Sequence, residues 1–95
     1  MSTATSLRTR DRAESHVEAR LIGIVRELLE RRSVTRVISV DEDLREAGLN
    51  SLDMVNLMLA VESEFDLKIP DAAMTLGNFR SISAIDALVV SLLQS

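Results

Sequence analysis

Residues 50–70 read NSLDMVNLMLAVESEFDLKIP. Asn50 is a good helix N-cap, and Asp53, three residues on, suits a first turn where the dipole is positive. Pro70 stops anything helical from continuing past it. The pattern between them predicts a helix from about Ser51 to Asp66. Stepping about 100° per residue places Met54, Leu57, Met58, Val61 and Phe65 on one arc, wide enough to be a core face. Leu52, Val55 and Leu59 fall on a different arc, more or less opposite. Asp53, Asn56, Glu62, Ser63 and Asp66 flank that second strip. Isolated exposed apolar residues are ordinary. Three of them at i, i+3 and i+7, rimmed by carboxylates, read as a docking surface for a partner with a basic rim.

Ser51 sits at the start of this helix. A helix N-terminus has free N–H groups and the positive end of the dipole, so a phosphate attached there is electrostatically favoured. The plainer reading is capping, the common role of serine at a helix start. A nucleophilic serine is not supported: the single histidine, His16, lies far off in sequence, and no Gly-x-Ser-x-Gly turn surrounds Ser51.

Ahead of this stretch, residues 14–32 carry Val17, Leu21, Ile24, Val25 and Leu28 on one helical stripe. Arg31 and Arg32 close that helix, where cations suit the dipole. Residues 33–50 form a long connection. Val34, Val37, Ile38 and Val40 have no second strand to pair with, so the segment reads as a loop packed on the core. A short turn of helix near Glu42–Ala47 ends at Gly48. Asp41 and Asp43 suggest a calcium loop, but the fifth, sixth and twelfth places hold Arg45, Glu46 and Leu52, which that loop does not tolerate. Residues 71–78 have room for one or two helical turns. A last helix follows Ser81, with Ile82, Ile85, Leu88, Val89 and Leu92 on one face. The fold class expected is all-α: a small bundle of three main helices plus one short helix, with a long first loop. Residues 1–13, Ser/Thr/Arg-rich with few large apolar side chains, are expected to be a disordered N-terminal segment rather than a mitochondrial targeting peptide, before a domain at 14–95.

The chain has 95 residues, enough for one small domain. It has no cysteine and one histidine, which excludes disulfides, thiolate metal sites, a cysteine nucleophile and a His-rich metal site. Two Phe, with no Trp or Tyr, leave almost no surface for stacking bases. The longest apolar run, Leu57–Val61, is far short of the ~20 residues that cross a bilayer. No apolar segment follows the first Met, so a cytoplasmic location is expected. Net charge is −4 and uneven: residues 1–40 hold eight Arg against five acids, whereas 41–95 hold ten acids against three bases. The acidic second half suits basic protein surfaces and not nucleic acid.

Residues 43–70, DLREAGLNSLDMVNLMLAVESEFDLKIP, resemble the acyl and peptidyl carrier proteins. The matching pieces are Leu44, Gly48-Leu49, Asn50-Ser51-Leu52, Val55, Leu57, Glu62, Glu64-Phe65 and Ile69-Pro70. A bare Ser-Leu pair carries nothing, but its combination with Glu-Phe and Ile-Pro downstream is specific. The resemblance extends more loosely over residues 14–95. It implies that Ser51 carries 4′-phosphopantetheine through a phosphodiester, added by a phosphopantetheinyl transferase. The terminal thiol of that arm would hold an acyl, aminoacyl or peptidyl group as a thioester. A cargo-loading ligase or synthetase would charge it, and a downstream acceptor enzyme would receive the cargo. The helix after the serine would be the recognition helix, so Leu52, Val55 and Leu59, with Asp53 and Glu62, would meet these enzymes. A reactive sulfur supplied by the arm is consistent with the missing cysteine.

Three features depart from the family pattern. Asn50 stands where Asp is usual. Asn56 and Ser63 stand where fatty-acid carriers commonly have Glu. A less acidic recognition helix and an Arg-rich first helix point to a dedicated partner rather than general fatty-acid synthesis. A chain that ends with the domain suggests a free-standing carrier. The alternative reading, from another class, is a non-catalytic helical interaction module in which Ser51 is only a helix cap. No catalytic or metal constellation supports an enzyme.

Overall fold

A computed structural model describes the backbone of residues 2–94 and the side chains of residues 16–94. The elements are α1 (Ser2–Arg31), α2 (Leu44–Ala47), α3 (Ser51–Phe65), a 3-10 turn at Asp71–Ala73, and α4 (Ile82–Leu93). No strand occurs among the described residues. The all-α bundle expected from the sequence is therefore the fold, with its long connection between α1 and α3.

Helix α1 buries Val17, Leu21, Val25, Leu28 and Leu29, while Ile24 of the expected stripe is only half-buried. Its backbone is helical from Ser2, where composition predicts a disordered N-terminal segment over 1–13. That stretch contains no Pro or Gly to interrupt a helix. Its side chains lie outside the described residues. At the other end Ser33 takes the left-handed conformation (φ 62), and the N–H of Val34 donates to the Leu29 carbonyl at 2.9 Å. The chain reverses there, as helix ends commonly do.

The connection from 33 to 50 packs Val34, Ile38 and Val40 against the core, as expected, but Val37 points outward and is 93% exposed. Two backbone bonds tie this connection to the start of α4: Leu44 N–H to Arg80 O at 2.8 Å, and Ser83 N–H to Val40 O at 2.9 Å. Asp43 caps α2, its Oδ1 accepting from the N–H of Arg45 and of Glu46.

Helix α3 buries Met54, Leu57, Val61 and Phe65, with Met58 half-buried beside them. Helix α4 buries Ile82, Ile85 and Val89, with Leu88 and Leu92 half-buried, and Ser81 caps it by accepting from Ala84 N–H at 3.1 Å. The expected helical turns over 71–78 reduce to the 3-10 turn at Asp71–Ala73. Beyond it Asn78 accepts no helical role: its Nδ2 donates to the Ala73 carbonyl and its N–H to Thr75 Oγ1. Such side-chain bonds compete with a continuing helix. Phe79, fully buried, then anchors this irregular segment.

Candidate functional site

The site is built from four consecutive residues with different tasks. Gly48 turns the chain out of α2 with φ 137, a conformation that L side chains rarely adopt. A Cβ there would also meet Val34 Cγ2 at 3.0 Å. Leu49 follows, 2% exposed, pinning the segment into the core. Asn50 is the N-cap of α3, with extended backbone (φ −93, ψ −179). Its Oδ1 accepts from Asp53 N–H at 2.8 Å, while Asp53 Oδ2 accepts from Asn50 N–H at 3.0 Å. This is a reciprocal capping box.

Ser51 is the first residue of α3 and is exposed. The capping position is already filled by Asn50, so the reading of Ser51 as only a helix cap is corrected: its hydroxyl is not what closes the helix. At this place the side chain stands beside N–H groups that have no intrahelical acceptor and at the positive end of the dipole. A phosphate ester on this oxygen fits: the position is open, the local field favours an anion, and no capping bond is lost on esterification.

The outer strip is present as the wheel predicts. Leu52, Val55 and Leu59 are 64%, 50% and 55% exposed. Asn56 and Ser63 are exposed nearby, and a groove of about 540 Å³ between α1 and α3 reaches the strip at Leu59. Ile24, Leu28, Asn56 and Ser63 help to line it.

Two acids expected to meet partners alongside this strip are engaged within the fold. Asp53 is 6% exposed and turns inward. Its Oδ2 accepts from Arg32 Nε at 2.8 Å and its Oδ1 from Arg32 Nη2 at 2.9 Å. The Arg32 guanidinium, and next the Asn50 N–H, hold the Asp53 carboxyl below the usual carboxylate range, against the opposing effect of burial. The physical reason for the correction is that an acid at the third helical position is recruited to the cap and to a cation from another helix. Glu62 is half-buried, and its Oε2 accepts from Ile69 N–H at 2.7 Å, stapling the segment after α3. That carboxylate is engaged within the fold rather than standing free on the rim.

Sequence reading also missed the contact that closes the far end of α3. Arg20 lies 4.7 Å over the Phe65 ring, donates from Nε to Glu64 Oε2 at 2.7 Å, and donates from Nη2 to the Glu64 carbonyl. His16 is exposed on α1. Among the described residues no group of three or more His, Cys, Asp or Glu could hold a metal ion.

Comparisons with known proteins agree on one family. Residues 19–85 match the family described as "Phosphopantetheine attachment site". Aminoacyl carrier protein 1 of Bradyrhizobium diazoefficiens is 40% identical over 78 residues, which is 82% of this chain and 87% of that protein. Aminoacyl carrier protein 2 of the same organism is 36% identical over 80 residues, 84% of this chain and 90% of its own length. Among solved structures, a chain in the Bradyrhizobium japonicum glycine:[carrier protein] ligase complexed with cognate carrier protein and an analogue of glycyl adenylate superposes with a TM-score of 0.67. Identity there is 39%, over 79% of this chain and 97% of that one. A second complex of the ligase, with glycylated carrier protein, gives a TM-score of 0.65 at 39% identity, covering 76% of this chain and 97% of the other.

Proposed function

The chain belongs to the phosphopantetheine-binding carrier proteins, and from that premise we propose that Ser51 is the residue that bears the arm. The protein is a carrier and not an enzyme, and its working group is a covalently attached 4′-phosphopantetheine. When bound, that group supplies the thiol on which an acyl, aminoacyl or peptidyl cargo is held as a thioester. The chain's own residues supply everything else. Gly48 and Leu49 fix the approach to α3, Asn50 and Asp53 close the helix end, and the Ser51 hydroxyl is left exposed at a position that favours a phosphodiester. The observation that carries the assignment is this division of labour, in which the cap is Asn50 and the serine is spare.

The carrier domain is taken as residues 14–95, which contain the whole family match. The outer strip Leu52, Val55 and Leu59 is the surface we assign to a phosphopantetheinyl transferase, to a cargo-loading ligase and to a downstream acceptor enzyme. Glu62 and Asp53 support that surface from within the fold. An amino acid is the favoured cargo and glycine the first candidate, because the similar chains named above occur in complexes of a glycine:[carrier protein] ligase. The cytoplasm is proposed as the place of the exchange. No helix among the described residues is long and apolar enough to cross a membrane.

Incubation with a phosphopantetheinyl transferase and coenzyme A, read by intact mass, tests the assignment. The wild-type protein is expected to gain one phosphopantetheinyl group and Ser51→Ala none. A wild type left unmodified by transferases that modify other carriers contradicts it.

A further inference from the structure

We infer that Arg32 is a positioning residue for the modification of Ser51, acting through Asp53. This rests on the reading of Ser51 given above. The direction in which the first residue of a helix presents its side chain depends on how the first turn is held. Here one half of the capping box is the Asp53 carboxylate, which is 6% exposed. A carboxylate in that environment needs charge compensation and filled hydrogen-bonding positions. Arg32 provides both, with two parallel N–H contacts of 2.8 and 2.9 Å. This is the bidentate fork that a carboxylate accepts best.

Asp53 Oδ2 is shared between Arg32 Nε and the Asn50 N–H. One carboxylate therefore joins the end of α1 to the residue just before Ser51, from a position two residues after it. The backbone of Arg32 is itself anchored. Its N–H donates to the Leu29 carbonyl at 2.9 Å, and the left-handed Ser33 turns the chain away immediately afterwards. The guanidinium is thus offered from a fixed helix end, and the frame of Ser51 is referenced to α1 across 21 residues of sequence. Residues two apart on a helix point to nearly opposite sides. Arg32 therefore braces the turn from behind and leaves the serine side free for a partner.

The test is the steady-state rate of phosphopantetheinylation with coenzyme A and a transferase, on wild type, Arg32→Gln, Arg32→Lys, Asp53→Asn and the Arg32→Gln/Asp53→Asn double variant. Each protein is used at a temperature where circular dichroism shows it folded. Hydrogen exchange of the Asn50 and Asp53 amides is followed in parallel. Arg32→Gln and Asp53→Asn are each expected to lower kcat/KM by about tenfold or more, because small displacements of a reacting group are costly. Asp53→Asn removes the ion pair while keeping a side-chain oxygen for the cap. The double variant is expected to be no worse than either single one, and the two amides are expected to exchange faster in all three. Arg32→Lys keeps the charge but not the fork, so an intermediate rate is expected; that variant decides the matter if Arg32→Gln does not fold. Variants modified at the wild-type rate overturn the inference. A loss in Arg32→Gln with none in Asp53→Asn also overturns it, because Arg32 would then be touching the transferase directly. A wild type that takes up no arm overturns the Ser51 reading and this inference together, and so is told apart from failure of the inference alone.

Discussion

Asp53 receives hydrogen bonds from Arg32 Nε, Arg32 Nη2 and the Asn50 N–H in a place nearly closed to water, so its protonation is coupled to folding. Its carboxyl titrates lower in the folded chain than the ordinary value, chiefly through the Arg32 contact. A group of this kind contributes stability that is fully present above its unfolded pKa of about 3.9 and is lost as pH falls through the folded value. Replacing Arg32 by Gln removes the main cause of the depression. The acid-unfolding midpoint of Arg32→Gln, followed by circular dichroism, is therefore expected at higher pH than that of wild type, and coincident midpoints contradict the coupling. Glu42 is lowered as well, first through its hydrogen bond to Arg36, but that pair stands toward solvent and is screened. Gly48 makes a second prediction at the same scale. Gly48→Ala adds a Cβ at φ 137 facing Val34 Cγ2 at 3.0 Å. It is expected to cost about 1–3 kcal/mol in urea unfolding, and an unchanged midpoint would show that the turn relaxes freely.

At the scale of the element, α3 has one face that holds the molecule together and one that stands exposed. Leu57 is fully buried and Leu59 is 55% exposed. Leu57→Ala is expected to lower stability by about 2–5 kcal/mol. Leu59→Asp is expected to leave the helical circular dichroism intact while slowing ligase-dependent thioester formation on the holo protein. Unfolding by Leu59→Asp would instead make Leu59 part of the core. These two faces are legible in sequence because the spacing of Met54, Leu57, Val61 and Phe65 follows helix geometry, and because Asn50 marks the start. The inward turn of Asp53 is not legible there. A helical wheel places a residue by angle alone, and it has no information about which cation another helix brings to the first turn. Arg32, 21 residues away, is delivered by the reversal at Ser33, which depends on a left-handed backbone that no periodicity announces. Ile69 and Phe79 escape for a related reason: both are fully buried in irregular segments, where neither the 3.6-residue nor the two-residue period applies.

Taken as a whole, the molecule is a short bundle in which α1 packs on both α3 and α4. The connection from 33 to 50 is fastened to the start of α4 by the Leu44–Arg80 and Ser83–Val40 backbone bonds. That arrangement holds the helix that follows Ser51 at its beginning, through Arg32, and near its end, through Arg20. An exposed hydroxyl at a helix start braced by these bonds suits a carrier, since its cargo chemistry is performed by others. The most direct measurement is peptide-level fragmentation mass spectrometry of the protein after incubation with coenzyme A and a phosphopantetheinyl transferase. A single phosphopantetheinyl group is expected, located on Ser51. A group found on any other serine, or none found at all, would contradict it.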